Sequence, residues 1–180
     1  FTYQEKHDLM MGKAFDCRLG CCAIVSTLEA LSGEKLNVDV VGAMSVQEEV
    51  GTRGAQVTAN TSKPQVAIVF EGCPADDTFS SPAATQTRIK AGPYLRHIDA
   101  RMITNPRFQR FALDLGEQLR IPVQDGVRTG GSTNGAPIHL SNGGVPCIVI
   151  GLPVRYIHTH YGIAAYADYA NAVKLAVEVI

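Results

Sequence analysis

Short apolar runs, separated by segments of helical periodicity, set the pattern of this chain. Three of the runs have the length of a strand and are rich in β-branched residues, at residues 36–46, 65–70 and 144–153. Continuous apolar runs of this length are typical of strands that are buried on both faces of a sheet. The pattern therefore predicts three buried strands.

Amphipathic helices are predicted between and after these runs. Apolar residues recur at three- and four-residue spacing between Cys21 and Leu31, between Phe108 and Leu119, and between Tyr166 and Val177. Such spacing places them on one face of a helix. Pro106 is a favoured first residue for the second helix. Strands that alternate with helices predict an α/β fold, with a mostly parallel sheet sandwiched by helices in one domain over residues 1–180.

Acidic residues and one histidine stand where these strands end or where a helix begins. The members of this set are Asp16 before the first helix, Glu48 and Glu49 after the first run, Glu71 after the second, and His158 after the third. Ligand sites of parallel sheets gather at the carboxyl ends of the strands. Asp16 is either a helix N-cap or a ligand, and the sequence leaves both roles open.

Composition narrows the classes of partner. The chain has 46% apolar residues, 18% charged residues and a net charge of −1, with no basic run. This balance does not favour binding to nucleic acid or to an anionic membrane surface. The apolar runs are also far shorter than a transmembrane helix requires. We therefore expect no nucleic-acid partner and no membrane segment.

The cysteines do not suggest a disulfide framework. There are five of them, an odd number, and Cys21 and Cys22 are adjacent. This usage fits a reducing compartment. Cys17 and Cys21 are four residues apart and could hold a soft metal, but no second Cys or His pair stands at a structural-zinc spacing. Small packed side chains are the favoured interpretation.

The five candidate side chains supply oxygen and nitrogen donors that suit Zn²⁺, Co²⁺ or Mn²⁺. In a two-metal site a shared carboxylate bridges the ions, and the water between them becomes a nucleophile at neutral pH. A further carboxylate then takes the proton of that water. One of two adjacent glutamates can bind the metal while the other reaches the water.

Three segments of the chain carry a family resemblance. GKAFDCRLGC, SVQEEVGTRGA and LPVRYIHTH are similar to the signature segments of the M42 metallopeptidases, the tetrahedral or TET aminopeptidases, some of which are known as glutamyl aminopeptidases or endoglucanases. The resemblance implies a zinc-peptidase-like catalytic domain and a dinuclear aminopeptidase that removes N-terminal residues from peptides. It also implies a cytoplasmic homo-oligomer in which dimers assemble into a dodecamer.

The resemblance implies a role for each candidate residue. Asp16 matches the bridging aspartate, Glu48 matches the general base, and Glu49 and His158 match ligands of one ion. Glu71 stands where the family has the terminal acidic ligand of the second ion. We expect two divalent ions in a complete site, Zn or Co with Mn as the alternative, while the resemblance assigns no substrate-binding residue.

Two positions depart from the family pattern. Glu71 stands where aspartate is more common, so its carboxylate has a longer reach. The loop GGSTNGA resembles the family's GGTDAGA, and Asn134 stands there in place of an aspartate. The loop therefore carries one negative charge fewer beside the expected site.

The start of the chain leads to a further expectation. The family places a His-x-Asp segment and an inserted dimerisation domain before the segment that contains Asp16, whereas this chain begins at Phe1. We expect the C-terminal part of a catalytic domain, an enzyme in the parent protein but weak or inactive alone. The alternatives are a non-catalytic peptidase-like or assembly subunit, and a glycosidase that uses two carboxylates without metal.

Overall fold

The structure is a computed structural model that describes all residues from 1 to 180. Its strands are β1 Thr2–Gln4, β2 Leu9–Gly12, β3 Ala67–Pro74, β4 Tyr94–Ile98, β5 Gln124–Val127, β6 Cys147–Val154 and β7 Gly162–Ala165. Its α-helices are α1 Phe15–Ala30, α2 Arg53–Ser62, α3 Pro106–Gln118, α4 Gly135–His139 and α5 Tyr166–Val179. None of these helices has the length and apolar character needed to traverse a bilayer.

The central sheet has the order β3-β6-β4-β5. β3 pairs with β6 and β4 pairs with β5 in parallel, while β4 and β6 are antiparallel. The predicted α/β class with mostly parallel pairing is confirmed. A second sheet, with the order β1-β2-β7, is antiparallel throughout and was not predicted.

β6 forms the centre of the core, and all eight of its residues are buried. Ile148, Ile150 and Leu152 pack in one cluster with residues of α1, α3 and α5. Cys147 and Val149 lie on the opposite face, in a cluster that Ile138 of α4 packs against. This alternation follows from the two-residue period of a strand, and it places helices on both faces of the sheet, as predicted.

The helix starts confirm one expectation and correct another. The Asn105 side chain caps α3 by accepting hydrogen bonds from the backbone N–H groups of Arg107, at 3.1 Å, and Phe108, at 3.0 Å. In contrast, the N-cap of α1 is Ala14, and no side chain caps that helix. The N-cap role considered for Asp16 is therefore wrong, which leaves its carboxylate free for other partners.

The strand predicted at residues 36–46 is wrong. This segment joins no sheet, and its side chains Val38, Val41, Met44 and Val46 are more than half exposed. A strand needs a neighbour for its backbone N–H and C=O groups. The central sheet ends at β3, and at Gly42 the segment instead approaches Leu28 of α1.

Candidate metal centre

The carboxylate of Asp16 is placed by an irregular first turn of α1. Asp16 has φ −90° and ψ 111°, outside the helical region, and its peptide bond to Cys17 is cis. Its side chain lies against β3 at Gly72, where an added Cβ would be 2.5 Å from Asp16 Oδ1. Only glycine at this position leaves room for the carboxylate, because a Cβ does not approach another atom so closely.

A hydrogen-bonded turn holds the two glutamates after the 36–46 segment. The carbonyl of Glu48 accepts from the N–H groups of Gly51, at 3.0 Å, and Thr52, at 2.9 Å. The carbonyl of Val46 accepts from the N–H of Gly54, at 2.9 Å. The turn therefore has a defined shape although the segment before it joins no sheet.

The loop after β6 carries His158. The Thr159 hydroxyl donates within this loop, 2.6 Å from the Tyr156 carbonyl oxygen. At the base of the loop, the backbone N–H of Arg155 donates to Ile163 at 2.8 Å. The Arg155 guanidinium donates to both carboxylate oxygens of Asp77, at 2.8 Å each. These contacts fix the ends of an otherwise exposed loop.

The structure brings the predicted donors together. His158 Nε2 lies 3.0 Å from Asp16 Oδ2 and 3.6 Å from Glu49 Oε2. One donor atom from each of Asp16, Glu49 and His158 lies within 4.8 Å of the others. Asp16, Cys17 and Glu71 form a second set with the same property, so the Asp16 carboxylate borders both sets. Glu71 lies inside β3 rather than at its end, because the strand continues to Pro74.

The charges at this point are unbalanced. Burial raises the pKa of Glu71 to about 8, with further contributions from the neighbouring charges of Asp16 and Glu48. Burial also raises the pKa of Glu48, followed by the charges of Glu49 and Asp16. Several carboxylates close to one another match the donors that divalent cations prefer. Together with the space kept open at Gly72, this donor chemistry fits a metal centre.

Two adjoining clefts open onto these side chains. The larger, of about 250 Å³, is lined by Asp16, Glu49, His158 and residues of the β6 exit loop. The smaller, of about 100 Å³, is lined by Glu48, Glu71 and the glycine-rich loop 130–132, and also by Arg96 and Arg128. The centre is therefore accessible from one side and bordered by guanidinium groups on the other.

Comparison with known proteins identifies the family. A family model described as M42 glutamyl aminopeptidase matches residues 1–175. The chain belongs to the M42 peptidase family. A glutamyl aminopeptidase of Lactococcus lactis subsp. cremoris is 37% identical over 163 residues, which are 91% of this M42 chain and 45% of the relative. This M42 chain spans about half the length of the curated relatives it matches.

Solved structures support the same assignment. The TET aminopeptidase of the marine sediment archaeon Thaumarchaeota archaeon SCGC AB-539-E09 matches with a TM-score of 0.95 and 36% identity, over 100% of this M42 chain and 51% of the relative. A second match is the TET1 peptidase of Pyrococcus horikoshii, which can assemble into a tetrahedron or a large octahedral shell. Its TM-score is 0.83 and its identity is 26%, over 95% of this M42 chain and 49% of the relative.

Three residues at this M42 site lie outside the predicted donor set. For Cys17, packing was favoured over a soft-metal site with Cys21, and Arg96 and Arg128 were not considered. Arg96 lies within β4, and the residue is only 5% exposed. A charged residue inside the apolar segment PYLRHI was the available signal, because such residues are seldom buried without a partner.

The departure at Asn134 has a definite place in the structure. Gly130, Gly131 and Ser132 line the smaller cleft, whereas Asn134 is not among its lining residues. Asn134 stands at the start of α4, and its Oδ1 is buried without a hydrogen-bond partner. The missing negative charge therefore does not border this cleft.

Proposed function

We propose that this M42 chain forms part of the catalytic domain of an aminopeptidase that removes N-terminal residues from peptides. The observation that carries the proposal is the convergence of Asp16, Glu49 and His158 within 4.8 Å of one another, beside the cleft that Glu48 lines. Family membership supports the reaction class, since the matching relatives are named aminopeptidases.

The residues divide between two divalent cations, for which zinc or cobalt is preferred and manganese is the alternative. Glu49 and His158 would hold one, Glu71 would hold the other, and Asp16 would border both. When bound, the cations supply Lewis-acid polarisation of the scissile carbonyl and lower the pKa of water. The imidazole nitrogen of His158 and the carboxylate oxygens match this donor preference.

Glu48 is the proposed general base. It stands next to Glu49 in the sequence and lines the smaller cleft, so one turn presents both a ligand and a base. Its carboxylate would take the proton from the attacking water and pass it to the leaving amine. Burial raises the pKa of Glu48, and a base works best when its pKa approaches the working pH.

Replacing the base tests the mechanism. In the longest natural polypeptide that contains this chain, Glu48→Gln should lower kcat about 10²–10⁴-fold, because an amide cannot accept the proton. Metal content, measured on the same sample, should stay unchanged. The exposed Glu34→Gln variant is the control and should keep its rate. An unchanged kcat for Glu48→Gln would refute the assignment of the base, and no turnover or metal in the unmodified protein would favour a non-catalytic subunit.

We further propose a preference for acidic N-terminal residues. Arg96 and Arg128 line the smaller cleft beside Glu48 and Glu71. An ion pair with Asp99 at 3.3 Å holds Arg96 there, and a hydrogen bond to the Pro74 carbonyl oxygen at 2.9 Å holds Arg128. A guanidinium group binds carboxylates well because its N–H groups form a planar fork. The name of the Lactococcus lactis relative, a glutamyl aminopeptidase, supports the same substrate class.

Substrate competition tests this preference. Arg96→Met should reduce the ratio of kcat/KM for a glutamyl substrate to that for a leucyl substrate by about tenfold or more, which corresponds to about 1.4 kcal/mol. The ratio is independent of the fraction of active protein, so partial unfolding does not affect it. A preserved ratio would exclude Arg96 as a determinant of specificity.

We also propose that the protein forms a homo-oligomer in the cytoplasm. Support for assembly comes from the Pyrococcus horikoshii relative, which builds closed shells. Support for a reducing compartment comes from the five cysteines, all of which are free in the structure.

A further inference from the structure

We propose that Cys17 supplies a thiolate ligand to the cation that Asp16 and Glu71 would hold. The inference rests on the metal centre of the proposed function, but it concerns a residue to which the family resemblance gives no role and for which the sequence favoured packing. Cys17 follows Asp16 directly, so the irregular first turn of α1 presents a carboxylate and a thiol together.

The geometry of the three donors carries the proposal. One oxygen of Asp16, one oxygen of Glu71 and the Cys17 sulfur lie within 4.8 Å of one another. Around a tetrahedral zinc, with a Zn–S distance of about 2.3 Å and a Zn–O distance of about 2.1 Å, sulfur and oxygen are roughly 3.6 Å apart. Small side-chain rotations are therefore enough to bring the three donors around one ion.

Glu71 provides a second, independent observation. Its side chain lies inside β3 and the residue is only 6% exposed, yet it forms no salt bridge. Its Oε1 accepts a hydrogen bond from the adjacent Gly72 N–H at 3.1 Å. A buried carboxylate without a cation is costly. A cation bound between Asp16, Cys17 and Glu71 would supply the positive charge that no side chain gives Glu71.

The sulfur of Cys17 is held in place by its surroundings. It lies 3.7 Å from the Phe70 carbonyl oxygen, which is a weak interaction for a thiol. On the other side is Gly20, where an added Cβ would be 2.5 Å from the sulfur. The glycine thus keeps open the space that the sulfur occupies between α1 and β3.

The thiolate has a chemical consequence for the choice of metal. Sulfur donors favour zinc and other soft or borderline ions, whereas a site built only from carboxylates also suits manganese and magnesium. On binding, the thiol proton is released to solvent and the sulfur forms the new bond to the ion. Cys17 would therefore bias the second site towards zinc and cobalt.

Cobalt spectroscopy tests the proposal on the longest natural polypeptide that contains this chain. Cobalt(II) added to the protein should produce a near-ultraviolet charge-transfer band, which arises only from a thiolate ligand. The band should be absent in Cys17→Ser and present in the matched control Cys22→Ser, whose side chain is exposed. Cobalt affinity of the second site should fall in Cys17→Ser by at least the roughly 10–100-fold that loss of an outer-shell partner causes.

The outcomes separate this proposal from the proposed function. Cobalt binding without the band would overturn the role of Cys17 and leave the Asp16, Glu49 and His158 site intact. A band that persists in Cys17→Ser would also overturn it. No cobalt binding would reject both. If Cys17→Ser does not fold, X-ray absorption of the zinc-loaded unmodified polypeptide decides, since a Zn–S distance of about 2.3 Å is expected.

Discussion

At the scale of single residues, Gly72 shows how closely the fold approaches the candidate site. The carboxylate of Asp16 occupies the space that any side chain at this position would need. The Gly72 backbone and the Asp16 carboxylate are therefore in close contact, so a shift of either one requires a shift of the other. The sequence offers no sign of this contact, because Asp16 and Gly72 are far apart in the chain and meet only when α1 packs on β3.

Gly72→Ala should therefore destabilise the protein by about 1–3 kcal/mol, the usual cost of forcing an extra methyl group into a packed site. It should also weaken cation binding, because Asp16 has to move. Urea unfolding and a zinc titration measure the two effects. Gly130→Ala is the control, since a Cβ there meets no atom within 4 Å. Equal stability of the two variants would contradict the packing argument.

Candidate residues were predictable to the extent that their local sequence is unusual. Asp16, Glu48, Glu49 and His158 each stand beside a helix start or a turn, and the structure places all four around the two adjoining clefts. Arg96 was missed for a physical reason. It lies within a strand, where the default interpretation of a side chain is packing, and only the tertiary structure shows which groups it faces.

At the scale of elements, α5 holds a distant loop through a single buried acid. Asp168, in the first turn of α5, accepts hydrogen bonds from the backbone N–H groups of Lys90, at 2.6 Å, and Gly92, at 2.7 Å. Asp168 is only 2% exposed. The loop before β4 therefore depends on α5 for its conformation.

Asp168→Ala should lower the free energy of unfolding by about 3 kcal/mol, because it leaves two N–H groups without a partner at about 1–3 kcal/mol each. Chemical denaturation measures the change. Asp114→Ala removes an exposed partner of Arg110 and should cost less than about 1 kcal/mol. A similar loss in both variants would show that the buried hydrogen bonds are not the cause.

The elements also show why helices were predicted better than strands. A helix satisfies its backbone hydrogen bonds internally, so the spacing of apolar residues is sufficient evidence for α1, α3 and α5. A strand depends on a remote neighbour. β6 has β3 and β4 on its two sides, whereas the 36–46 segment, which is also rich in apolar residues, joins no sheet.

At the scale of the whole molecule, one ion pair ties two distant parts of the chain together. Asp77 follows β3, and Arg155 follows β6 at the base of the loop that carries His158. The hydrogen bonds from Arg155 hold the pKa of Asp77 below its usual range. The folded state therefore favours the ionised carboxylate more than the unfolded chain does.

This preference sets the sign of a pH effect. The stabilisation is fully present above the unfolded-state pKa of about 3.9 and is lost as the pH falls through the lower folded-state pKa. Asp77→Asn should cost about 1.5–3 kcal/mol at neutral pH and much less in strong acid. Denaturant unfolding at several pH values measures the difference. The exposed Asp39→Asn variant should show no such trend, and a pH-independent cost for Asp77→Asn would contradict the ion-pair explanation.

The position of Asp16 between two donor sets limits how such a site can change over evolutionary time. A lineage that altered this one codon would disturb both proposed cations in a single step. Gradual conversion to a mononuclear enzyme, or to an inert relative, would instead have to begin at Glu71 or at His158, each of which belongs to one set only.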